Sequence, residues 1–125
     1  MKYLYKNVYK VPLYRGRLVI MLTNSKRRIR KYVPDFNHEY IYAHAYGCRY
    51  KKYSGYYMIL NFDFKQKKIK HSSIIHESIH LTYFIANERG IKLDYDNDEP
   101  ITYLAEWIAT KAYKTIKKYG FKIES

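Results

Sequence analysis

Ser72-Ser73-Ile74-Ile75-His76-Glu77-Ser78-Ile79-His80-Leu81-Thr82-Tyr83-Phe84-Ile85-Ala86-Asn87-Glu88-Arg89 is the stretch where the hydrophobic period of this chain changes. Within it Ile75, Ile79, Thr82, Tyr83 and Ala86 recur at three- and four-residue spacing, which predicts a helix with one buried face. Gly90 follows, a residue suited to a left-handed cap. The acidic loop Asp94-Tyr95-Asp96-Asn97-Asp98 comes next, and then a second helix from about Glu99 to Tyr119. Pro100 sits in its first turn, where a missing N–H costs little. Ile101, Leu104, Ala105, Ile108, Ala112 and Ile116 supply its apolar stripe.

Upstream the period is two. Leu13 to Thr23 reads as a strand, with the apolar run Leu18 to Leu22 rich in strand formers. Ser25 to Lys31 is a charged connection, with Pro34 just beyond. Glu39 to Tyr46 alternates, placing Tyr40, Tyr42, His44 and Tyr46 on one face and Ile41, Ala43 and Ala45 on the other. In Gly55 to Phe64 the residues Tyr56, Met58, Leu60, Phe62 and Phe64 share a face. Lys51 to Gly55 turns between these two strands and makes an antiparallel hairpin. Strands first and helices after is an α+β order, here a small antiparallel sheet followed by two packed helices. The 125 residues make one domain, 1–125, with a β-rich part at 1–70 and a helical part at 71–125.

Composition excludes several classes. Seventeen tyrosines and 18% aromatic residues are too much apolar surface for a wholly disordered chain. The longest apolar run, Leu18 to Leu22, is far too short to span a bilayer, so no membrane partner is expected. The opening Met1-Lys2-Tyr3-Leu4-Tyr5-Lys6 lacks the features of a secretory signal. Cys48 is the single cysteine, which excludes an internal disulfide and a cysteine-based zinc site. A reduced setting is expected, in a host cytoplasm or a virion.

Charge is unevenly placed. Residues 1–70 hold seventeen Lys/Arg against Asp35, Glu39 and Asp63, a balance of +14, whereas 71–125 hold seven against eight acids. Basic surface on the N-terminal half suits nucleic acid or an acidic protein partner. Arg27-Arg28-Ile29-Arg30-Lys31 and Tyr50-Lys51-Lys52-Tyr53 are the patches concerned.

The chemistry sits on the first helix. His76-Glu77-Ser78-Ile79-His80 is an HExxH motif, and residues four apart on a helix lie one turn apart on one face. Two imidazoles so placed can converge on one metal, with the intervening glutamate beside them as a general base. A catalytic zinc takes three protein ligands and keeps a fourth position open. Position 83 is Tyr and Gly90 comes too late for HExxHxxGxxH, so the third ligand is expected on the second helix. Glu99 and Glu106 are the candidates. Glu99, opening its helix beside a loop, is preferred, and Glu106 is assigned to hydrogen-bonding a ligand histidine.

His76-Glu77-x-x-His80 followed by Glu99 at this distance resembles the gluzincin arrangement of thermolysin-type metallopeptidases. The stretch Ile74 to Tyr113 resembles, more closely, small phage-encoded HExxH proteins of metallopeptidase type. In those proteins the motif helix ends in Gly and a second helix opens EPxAYL; here it reads Glu99-Pro100-Ile101-Thr102-Tyr103-Leu104, with Thr102 where Ala is usual. The resemblance implies a zincin-like domain with zinc on His76, His80 and Glu99, and Glu77 as base. One departure is Tyr103, which stands where thermolysin-type enzymes have an Asp supporting a histidine.

The expected reaction is zinc-assisted hydrolysis of a peptide bond in a protein or peptide substrate, with Glu77 moving the proton. Tyr103, His71 and Tyr83 are candidate donors to the oxyanion, with Tyr103 favoured by its position one turn from Glu99. The competing expectation is a nucleic-acid-binding or virion structural protein with a structural or vestigial zinc.

Overall fold

The computed structural model describes residues 4–36, 43–48, 54–62 and 65–124. The elements in chain order are β1 (Leu4–Lys10), β2 (Arg17–Thr23), α1 (Lys26–Tyr32), β3 (Ala43–Cys48), β4 (Gly55–Leu60), β5 (Lys68–Lys70), α2 (His71–Glu88), α3 (Glu99–Lys118) and β6 (Lys122–Glu124). The fold is α+β. Its main sheet has the strand order β1-β2-β4-β3, and β5 with β6 forms a second, two-stranded sheet.

The main sheet is mixed, which corrects the expectation of an antiparallel one. β1 and β2 form an antiparallel pair, as do β3 and β4 with Ala45 opposite Met58, but β2 runs parallel to β4 with Ile20 beside Met58. Parallel neighbours need a crossover, and the segment from α1 through β3 provides it. The charged stretch expected as a connection is therefore a helix in its larger part. It eluded a periodicity reading because α1 buries only Ile29, while its cations face outward. Ile29 packs with Val33 and Phe36 against Val19, Met21, Tyr57 and Ile59.

Both faces of the central strands are thus covered. Leu18, Ile20, Leu22, Met58 and Leu60 turn the other way, onto Ile74, Leu81 and Ile85 of α2 and Leu104, Ile108 and Ile116 of α3. Strands buried on both sides read as continuous apolar runs, which accounts for Leu18 to Leu22 and for Tyr56 to Leu60. The N-terminal limit of β2 is Arg17 rather than Leu13, because Val11 to Gly16 forms the connection from β1, closed by the Val11 N–H to Gly16 carbonyl bond of 3.1 Å. The expected turn residues Lys51 to Tyr53, the strand residues Glu39 to Tyr42, and Asp63 and Phe64 lie outside the described residues.

The two long helices match their expected extents to within about one residue. Gly90 has φ +69° and Gly120 has φ +78°. Beyond them Ile91 and Phe121 donate back to Ala86 and Ile116, so both helices end in the same left-handed closure. The apolar stripe expected for α3 is the one observed, apart from Ala105, which is half-buried. That of α2 is rotated. Ile74, Glu77, Ser78, Leu81, Thr82, Ile85 and Ala86 are buried, whereas Ile75, Ile79, Tyr83 and Phe84 are 41–45% exposed. The apolar residues of α2 are spread over more than one face, so periodicity alone could not orient it. The buried hydroxyls of Ser78 and Thr82 are satisfied within the helix by the carbonyls of Ile74 and Ser78, at 2.6 and 2.7 Å.

Candidate metal centre

His76 and His80 project from consecutive turns of α2 on its solvent side, and their Nε2 atoms are 3.1 Å apart. The rings meet edge to face, with centroids 4.7 Å apart and planes at 72°. Two nitrogens bound to one zinc at 2.0–2.1 Å in a tetrahedral arrangement stand about 3.3 Å from each other. The two imidazoles thus have nearly the spacing that a shared tetrahedral zinc requires.

Glu77 lies next in the chain, turned by the helix toward the sheet, and is only 7% exposed. Its Oε1 is 3.9 Å from Nε2 of His76. Burial pushes its carboxyl above the ordinary value of 4.5, while His76, His80 and the backbone N–H of Ala45 act in the opposite direction. A solvated surface glutamate would have none of these neighbours.

The three residues open onto a cleft of about 640 Å³ between α2 and β3. His44, Ala45, Tyr46 and Gly47 form one wall; Phe84, Asn87 and Glu88 extend the α2 wall beyond the histidines. Among the described residues β3 is an edge strand of the main sheet, its ladder made with β4 alone. At the far end Tyr56 donates its hydroxyl proton to the Glu88 carboxylate. Asn87, Glu88, Tyr56 and the Ala45 N–H were missed in the sequence. Asn87 was accessible there, since a residue eleven positions after His76 is three turns on and faces the same side; the other contacts depend on strand placement.

The remaining site residues read from the sequence lie elsewhere. Glu99 and Tyr103 line a separate apolar cleft of about 410 Å³ with Pro12, Leu13, Tyr14 and Leu104. Tyr103 is 63% exposed there. Glu106 is exposed on α3, where its carbonyl accepts the Thr110 hydroxyl at 2.8 Å. His71, at the start of α2, is engaged by the Tyr113 hydroxyl through its Nδ1 at 2.5 Å, and Tyr83 is exposed outside the cleft wall. Among the described residues no group of three His, Cys, Asp or Glu side chains is arranged to hold a metal. No helix among them is long and apolar enough to cross a membrane.

No family model, curated protein or solved structure matches the chain.

Proposed function

We propose that this protein is a zinc-dependent metallopeptidase of the HExxH type. The observation that carries the reading is the 3.1 Å approach of the His76 and His80 Nε2 atoms with buried Glu77 beside them. The two imidazoles would hold the zinc; Glu99, proposed for the third position with Glu106 as the alternative, lines a different cleft and would have to be brought to them. When bound, zinc supplies a Lewis acid that polarises a carbonyl and lowers the pKa of water toward neutrality.

The chain's own groups do the rest. Glu77, held above the ordinary carboxyl range by burial, is suited to taking a proton from water and returning it to the leaving amine. The outer side of β3, at the edge of the described sheet, could take an extended peptide by strand addition along the cleft. Its Ala45 N–H already points into the cleft, at Glu77. The cleft of about 640 Å³ beside Glu77 gives such a substrate room, which a structural zinc alone does not call for.

The test is a peptide-library digest with wild type and Glu77→Gln, each loaded with zinc and checked for metal content. Cleavage by wild type and its loss in the variant at equal zinc supports the proposal. Equal cleavage by both removes Glu77 from its role.

A further inference from the structure

β5 and β6 pair in parallel and set Lys68 opposite Lys122, Ile69 opposite Ile123 and Lys70 opposite Glu124. Strand alternation turns Ile69 into the core and leaves Lys68, Lys70, Lys122 and Glu124 exposed on the outer face. Like charges directly opposite one another on a ladder are destabilising. Lys67 adds to the cluster: it is exposed, has φ +50°, and its carbonyl accepts the Lys122 N–H at 2.8 Å. Neutral polar residues would serve the core contacts of these strands equally well. A fold that sets Lys68 against Lys122, with Lys67 and Lys70 beside them and Glu124 opposite Lys70, where neutral groups would be more stable, has the mark of a binding surface.

We propose that this lysine face binds duplex nucleic acid through its phosphates, an activity independent of the zinc reading. The strands carry no arginine, so they offer point charges rather than the bidentate fork that reads base edges. Among the described residues the nearby aromatics are engaged: Phe121 is buried, and the Tyr119 hydroxyl is bound to the Lys6 carbonyl and Asn7 Oδ1. The chain's split into a basic and a near-neutral half hides this surface, because Lys122 comes from the near-neutral one.

Fluorescence anisotropy of a short labelled duplex, titrated with salt, tests the proposal. The Lys68→Gln/Lys122→Gln variant should bind about tenfold more weakly at low salt, with a salt slope shallower by about two, and be at least as heat-stable as wild type. Lys92→Gln/Lys114→Gln, at two exposed positions outside these strands, removes the same charge and should change affinity less than about threefold. Equal loss in the two variants would overturn the proposal in favour of a net-charge effect. Single-stranded DNA bound as tightly as duplex, or anionic phosphatidylserine vesicles bound at a salt concentration that abolishes duplex binding, would overturn it too.

Discussion

The carboxylate of Glu77 accepts the backbone N–H of Ala45, which ties the HExxH helix to the edge strand that walls its cleft. The contact fixes Glu77 on the sheet side of α2 while His76 and His80 stay on the solvent side. Base and proposed metal ligands therefore face one cleft from two directions.

Burial is the largest influence on Glu77 and raises its pKa above 4.5. A raised folded-state pKa means that protonated Glu77 contributes stability below its unfolded value, and that this is lost as pH rises through the folded value. The metal-free wild type should therefore lose Tm relative to metal-free Glu77→Gln as pH climbs from about 4 to 7. Melting curves that keep a constant difference over that range would put the carboxylate in water.

Zinc content should be about one per chain in wild type and near zero in His76→Ala/His80→Ala. Glu99→Ala should weaken zinc binding by about tenfold or more if Glu99 supplies the third ligand, with Glu106→Ala affected less. The reverse order would assign the position to Glu106. Metal analysis after dialysis against graded chelator reads both.

Glu77→Gln should lower the rate of peptide cleavage by roughly 10²–10⁴-fold at unchanged zinc content. A fall in zinc that parallels the fall in rate would make Glu77 a determinant of metal binding rather than a base.

Ile29 is fully buried, so Ile29→Ala should cost about 3 kcal/mol in denaturant unfolding. Arg27→Ala on the exposed side of α1 should stay within about 0.5 kcal/mol of wild type. Equal, small effects would mean that α1 does not cover the second face of the sheet.

Gly90 has φ +69° with open space where a Cβ would stand. Gly90→Ala should therefore cost about 1 kcal/mol, from backbone strain alone. A larger loss of Tm than this predicts would point to a packing role instead.

The sequence by itself determined the α+β order, the extents of α2 and α3, the Gly90 closure and the pairing of His76 with His80. Each depends on spacing within a dozen or so residues, which helix geometry converts directly into position. Tertiary structure decided the rest. The parallel β2–β4 pair and the cover that α1 gives it are contacts between distant segments, invisible to a local period. Because the apolar residues of α2 are spread over more than one face, only packing could choose Ile74 over Ile75 for the core, and that rotation buries Glu77. Glu99 is preferred in the sequence because it opens its helix beside a loop, but where a carboxylate stands also depends on how two helices cross; here that crossing puts it with Pro12 and Tyr14. Lys68 and Lys122 likewise meet only because β5 and β6 pair.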